Sequence, residues 1–150
     1  VIVDCTPLHL LYVCQRLPKR DVEEAITLGY PDMQSLAMQR ATERGVRWTV
    51  LDAKGEPRAC FGIADTAVPG VGAMWLLRTP DAAPFARTGW KAVRKIFSLG
   101  AYRRIEATAR GDCQPCRKFL EWLGFKHEGT KRRFFTDGCC AELYAWTKEA

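Results

Sequence analysis

Between Arg104 and Phe125 the chain reads RIEATARGDCQPCRKFLEWLGF, and few folds accept that succession of local instructions. Ile105, Ala107 and Ala109 alternate with charged or polar neighbours, the pattern of a half-buried strand. Gly111 and Asp112 end it. Pro115 suits the first turn of a helix, where a backbone N–H has no intrahelical acceptor to lose. Phe119, Leu120 and Leu123 then share one helical face, Gly124 supplies a left-handed closing residue, and Phe125 opens a new apolar run. A strand, a short amphipathic helix and a return toward the sheet place the chain among mixed α/β folds.

The remaining segments extend this reading. Val1–Cys5 reads as a first strand, and Thr6-Pro7 starts a helix carrying Leu8, Leu11, Tyr12 and Gln15 that Pro18 ends or bends. Arg20 to Leu28 forms a second helix with Asp21, Glu23 and Glu24 in its first turns, closing at Gly29. Pro31 starts a third, with Met33, Leu36, Ala37 and Ala41 on its apolar face, and it stops at Gly45. The period then changes to two. Val46–Leu51 and Pro57–Asp65 pair across an Asp52–Gly55 turn, and Ala73–Leu77 is a continuous apolar strand of the kind buried on both faces. A helix from Phe85 to Leu99 turns Trp90, Val93, Ile96 and Phe97 inward and Arg87, Lys91, Arg94 and Lys95 outward. After the Arg104–Phe125 unit, strands Phe125–Phe135 and Cys139–Trp146 are joined through Asp137-Gly138. The order β-α-α-α-β-β-β-α-β-α-β-β predicts one domain over residues 1–150, with a mixed sheet and helices on both faces.

Composition narrows the partners. With 47% apolar residues and five tryptophans the chain holds enough material for a core, and no apolar run reaches membrane-spanning length. No charged-then-apolar leader opens the sequence, so the reading is a cytoplasmic protein. Of the net +6, the stretch Arg78–Arg133 contributes fourteen basic residues against five acidic ones, which suits an anionic ligand or a simply solvated face. Seven cysteines, irregularly spaced, read as reduced thiols that behave as small hydrophobes. Cys113-x-x-Cys116 with Cys139, Cys140 and His127 invites a zinc site. Adjacent Cys139 and Cys140 on a strand point to opposite faces, however, and no metal is assigned. Trp75, Trp90 and Trp122 read as core.

This order of elements, with its Leu123-Gly124-Phe125 exit, resembles the GNAT superfamily of acetyl-coenzyme A-dependent N-acetyltransferases over essentially the whole chain. It is most similar to the small acetyltransferase-like proteins of tailed bacteriophages, which share an Asp-x-x-Glu pair in an early helix (Asp21 and Glu24) and a strand like Trp75–Pro80. The resemblance implies a GNAT-like, mostly antiparallel twisted sheet of six to seven strands. It implies acetyl-CoA as acyl donor and an amine acceptor, either a small molecule or a protein lysine or N-terminus. In a phage setting it implies the host cytoplasm or a virion-associated place. Strands four and five of the fold splay apart, so the backbone edge over Trp75, Leu77, Arg78 and Thr79 is expected to pair with a pantetheine arm. The resemblance implies that the helix beginning near Phe85 would face the coenzyme pyrophosphate, with Arg87 and Lys91 one turn apart to reach it. Asp21 and Glu24 fall where the family shapes its acceptor site.

Some positions depart from the family pattern. Reading its phosphate loop (Arg or Gln, then x-x-Gly-x-Gly or Ala) onto Arg78–Ala83 puts Asp81 at the first glycine, and reading it onto Arg87–Ala92 puts Trp90 there. Counting back from Leu123-Gly124-Phe125 places Leu120 at the usual tyrosine acid and Cys113 at the usual pantetheine-contacting asparagine. Glu106 on the fifth strand is a candidate base acting through water, or a solvent-facing strand residue. Cys113 is a candidate acid or nucleophile at a helix start, or a structural thiol. The alternative to catalysis is a degenerate member of the fold that serves phage morphogenesis, the virion or host-factor binding. A nucleic-acid surface over Arg103, Arg104 and Lys131–Phe135 matches no recognised motif.

Overall fold

The computed structural model describes residues 1–98 and 100–149. Its elements in chain order are β1 (Ile2–Asp4), α1 (Pro7–Cys14), α2 (Lys19–Thr27), α3 (Met33–Thr42), β2 (Gly45–Leu51), β3 (Pro57–Asp65), β4 (Val71–Arg78), a 3-10 turn (Ala83–Phe85), α4 (Ala86–Ser98), β5 (Arg104–Arg110), α5 (Gln114–Trp122), β6 (Lys126–Lys131) and β7 (Ala141–Thr147). The seven strands form one sheet in the order β1-β2-β3-β4-β5-β7-β6, antiparallel everywhere except between β4 and β5.

Each helix start has a local cause. Thr6 caps α1 by accepting the His9 N–H at 3.2 Å, and His9 Nδ1 accepts the Thr6 N–H in return, which completes a capping box. Asp32 rather than Pro31 begins α3, its carboxylate accepting from the Ser35 N–H at 2.7 Å. The 3-10 turn supplies the tight entry to α4, whose expected end at Leu99 lies outside the described residues.

Alternation along the strands divides the core in two. On one face Ile63, Ile105, Ala107 and Tyr144 meet Val93, Ile96 and Phe97 of α4 and Leu120 of α5. On the other, Cys60 and Trp75 meet Leu10, Val13 and Cys14 of α1, Ala25 of α2, and Leu36 and Ala37 of α3. Gly62 lies opposite Trp75 in the ladder, and a Cβ there would run into the Trp75 ring and the Val46 carbonyl oxygen. Its lack of a side chain lets the indole lie across β3.

Four expectations are corrected. β4 is not buried on both faces, because Leu76 is 41% exposed. Trp122 is 55% exposed and packs at a tilt against half-buried Trp90, ring centroids 4.8 Å apart, rather than entering the core. The last hairpin turns at Asp137-Gly138, with Gly138 at φ +87, but its ladder stops at Lys131 and resumes at Ala141. The intervening loop is drawn inward instead: Phe135 is buried beneath the Arg110 guanidinium, and the Thr136 N–H bonds the Thr27 carbonyl at 2.9 Å. Finally, Cys113 and Cys116 are joined as a disulfide rather than standing as reduced thiols, whereas Cys14 and Cys60 are the buried small hydrophobes expected. Among the described residues no helix is long and apolar enough to cross a membrane.

Candidate active site

The sheet is nearly two sheets. β4 follows β3 from Asp65↔Gly72 to Ala59↔Arg78, and β5 follows β7 from Arg104↔Thr147 to Arg110↔Ala141. Among the described residues, only the parallel pairs Val71↔Arg104, Gly72↔Ile105 and Ala73↔Glu106 run between the halves. Beyond Ala73 and Glu106 the strands part, and among the described residues β4 from Met74 to Arg78 has no ladder partner on its β5 side. Unpaired strand edges are strong hydrogen-bonding surfaces. The wedge opens toward the carboxyl ends of two parallel strands, where α/β sheets form their ligand crevices. The loop leading to α4 follows one lip and the turn leading to α5 follows the other.

Along β4 the side chains alternate across this edge. Trp75 is buried and Leu77 half-buried against α1 and α3, while Leu76 and Arg78 are exposed. On β5, Ala107 and Ala109 point into the α4–α5 core, which leaves Glu106 and Thr108 on the opposite face, half-exposed and exposed respectively. Glu106 therefore stands at the apex of the wedge. Arg104 holds its carboxylate at 3.0 Å and Glu128 at 2.6 Å. Thr108, which its strand position alone did not distinguish, adds a hydroxyl to the same face.

Helix α2 spans the mouth on that face. Arg110 at the end of β5 donates to the Thr27 hydroxyl at 3.1 Å, and Arg20 donates to the Asp112 carbonyl at 3.0 Å. Asp21 and Glu24, one turn apart, are partly buried there. Burial raises the pKa of both. For Asp21, Arg78 and Arg20 oppose the shift; for Glu24, neighbouring Asp21 adds to it, and Arg110 and Arg20 oppose it. The pair brings negative charge between the ends of β4 and β5, in a place where ionisation is costly.

The loop after β4 is braced internally. Thr79, 1% exposed, donates its hydroxyl to Asp81 at 2.6 Å and bonds the Arg58 carbonyl through its N–H at 2.9 Å. Asp81 in turn pairs with Arg58 at 3.1 Å, and the Thr79 bond, aided by Arg58, lowers its pKa. The Asp81 carboxylate is thus held by Arg58, a cation it shares with Asp52 at 2.7 Å and Glu56 at 3.0 Å. Arg87 and Lys91 are exposed on the first turns of α4, and Gly89 between them faces open space.

One candidate chemical group is not available, and one departure from the family pattern stands. Cys113 is buried and disulfide-bonded to Cys116, so it is neither an acid nor a nucleophile in this state. Leu120 is a core residue. Behind it, Tyr144 is 1% exposed, its hydroxyl engaged by Arg117 at 3.1 Å and Glu121 at 3.3 Å. The structure thus brings Trp75, Leu77, Arg78, Thr79, Glu106, Asp21 and Glu24 around one wedge, places Arg87 and Lys91 on the helix beyond its β4 lip, and removes Cys113.

No known family profile matches the sequence, and no curated protein matches it. Solved structures do. The acetyltransferase of GNAT family from Streptococcus pneumoniae superposes with a TM-score of 0.68 over 99% of each chain at 14% identity. A spermidine N-acetyltransferase from Vibrio cholerae gives 0.73 over 98% of this chain and 94% of that one, also at 14% identity. A putative phosphinothricin N-acetyltransferase gives 0.71 over 100% and 99% at 11% identity. The mixed, mostly antiparallel seven-stranded sheet with helices on both faces is the fold of GNAT acetyltransferases.

Proposed function

We propose that this chain transfers an acyl group, acetyl in the simplest case, from a coenzyme A thioester to an amine by direct attack on the thioester. The observation that carries the reading is the parting of β4 and β5 after Ala73 and Glu106, which leaves the β4 edge unpaired beside a braced loop and a basic helix start. These residues fit a thioester of coenzyme A. The Met74–Arg78 edge offers amides and carbonyls to a pantetheine arm, while Arg87 and Lys91 offer cations to its phosphates. Thr79 and Arg58 hold the Asp81 carboxylate within its own loop, which lessens its repulsion of a phosphate. When bound, the thioester supplies an activated acyl carbon.

The chain's own residues do the rest. Asp21 and Glu24 hold a cationic amine at the mouth, and their raised pKa values suit them to take the proton that the amine must lose before it attacks. Glu106, fixed by Arg104, is the second base position, on the cleft floor. Neither Leu120 nor Cys113 provides an acid for the departing thiol, so rate rests on positioning. Structures of the same fold are named for spermidine and phosphinothricin, both amines, which supports an amine acceptor. The same two positions favour a second reading, a scaffold that has lost turnover and serves a phage or host protein; kinship with phage proteins rests on the Asp21/Glu24 and Trp75–Pro80 patterns.

Calorimetry with acetyl-CoA, followed by a free-thiol assay over a panel of mono- and polyamines, tests both readings. Saturable binding that weakens in Arg87→Ala and Lys91→Ala, with amine-dependent thiol release, is expected. Binding without release for any amine would leave the scaffold reading. No binding at millimolar acetyl-CoA would sink the enzyme.

A further inference from the structure

The turn between β5 and α5 carries chemistry that acyl transfer does not use. Cys113 and Cys116 are bonded to each other across the first turn of α5, and their two sulfurs have different surroundings. Cys113 is 3% exposed and caps the helix, its Sγ accepting the Cys116 N–H at 3.3 Å. Cys116 is only half-buried and follows exposed Gln114 and Pro115. A thiolate that opens a disulfide must reach one sulfur and expel the other as a thiolate. Access selects Cys116 for attack. The expelled sulfur is then Cys113, whose new negative charge falls at a helix N-terminus, against an N–H that already points at it.

We propose that Cys113–Cys116 is a thiol–disulfide exchange site for low-molecular-weight thiols, with Cys116 the sulfur attacked. In the first step an R–S⁻ thiolate bonds to Cys116 Sγ, the Cys113–Cys116 bond breaks, and its electron pair leaves on Cys113. In the second, another R–S⁻ attacks the R sulfur of the mixed disulfide and releases Cys116 as thiolate. The chain gains two electrons, and the two small thiols, now joined as R–S–S–R, supply them. The site also reaches the wedge. Asp112, next to Cys113, receives Arg20 of α2 on its carbonyl and Arg110 on its carboxylate at 2.9 Å, and Arg110 holds Thr27. Opening the bond loosens the turn on which the Asp21 and Glu24 helix is anchored.

The test needs no turnover and stands apart from the acyltransfer reading. The purified full chain is treated with graded reduced glutathione, quenched with N-ethylmaleimide, and the peptide spanning residues 111–117 is fragmented in a mass spectrometer. Without glutathione both cysteines should escape alkylation. Limiting glutathione should place one glutathione on Cys116 and one maleimide on Cys113, and excess should give two maleimides. Amide exchange across Lys19–Thr27 should quicken in the reduced chain. Alkylation of both cysteines before any thiol is added, glutathione on Cys113 instead, or a bond inert until the protein is denatured would each overturn the proposal. Unchanged exchange across Lys19–Thr27 would remove its link to α2.

Discussion

Arg110 and Thr27, 83 positions apart, are joined by a 3.1 Å hydrogen bond that fixes α2 across the open end of β5. The same guanidinium pairs with Asp112 and Asp137 and lies over the Phe135 ring. One side chain therefore ties together a strand end, a helix and the β6–β7 loop. Arg110→Met keeps much of the packing and leaves two carboxylates without their cation. A loss of about 1–3 kcal/mol is expected, read as a lower urea midpoint. Faster amide exchange in α2 should accompany it; an unchanged α2 would refute the tether.

Asp21 and Glu24 make an opposite prediction. Their folded pKa values are raised by burial, so the folded state binds protons more tightly than the unfolded chain. Their cost to stability is absent below the ordinary carboxylate range and accrues as pH rises through the folded values. Glu24→Gln is expected to be more stable near neutral pH by about 0.5–2 kcal/mol and indistinguishable in acid. Its KM for the amine should rise while binding of acetyl-CoA is kept. A melting-temperature profile against pH and a two-substrate kinetic series check both halves.

Arg58 is expected to act on coenzyme binding without touching the coenzyme. Arg58→Met leaves the Asp81 charge less compensated in the loop after β4 and should weaken acetyl-CoA by about fivefold, the effect of one charge a few ångströms away in water. Arg58→Met combined with Asp81→Asn should recover most of the loss. If the double variant binds as weakly as the single one, the loop depends on Arg58 for shape rather than for charge.

Glu142, 7% exposed, accepts from Thr130 at 2.7 Å and meets His127 Nε2 at 2.5 Å. The Thr130 bond, then His127, lowers its pKa against the cost of burial. A depressed carboxyl contributes stability above its unfolded value and loses it as pH falls through the folded one. Glu142→Gln should melt a few degrees lower near neutral pH, with the gap closing in acid. A gap that persists at low pH would assign the effect to packing.

The parts that could be read from the sequence were those decided locally. The Asp52–Gly55 turn, the Thr6 cap and the unit from β5 through α5 to Gly124 depend on neighbours in sequence, and they stand as expected. Leu76 was misplaced because its exposure depends on where β5 turns away, not on its own apolar neighbours. The Asp137-Gly138 turn formed, yet Phe135 and Thr136 left the ladder for Arg110 and Thr27, partners far away in the chain. Asp21 and Glu24 were visible as acids opening a helix; their seat above the wedge needed Arg110 and Arg20, which no spacing announced. The bond between Cys113 and Cys116 likewise turned a reactive candidate into a closed one.

The three parallel pairs between β4 and β5 are also a fulcrum. On either side lies a plate of antiparallel strands, stiff within itself because its ladders continue to Arg78 and to Arg110. The α4 residues Val93, Ile96 and Phe97 pack against both plates like a spring clipped across them. Ala73 and Glu106, the last pair before the strands part, are the natural axis for any widening of the groove. Under the proposed acyl transfer, a bulkier acyl chain is expected to enter by that widening, at a cost set by how far the clip is strained.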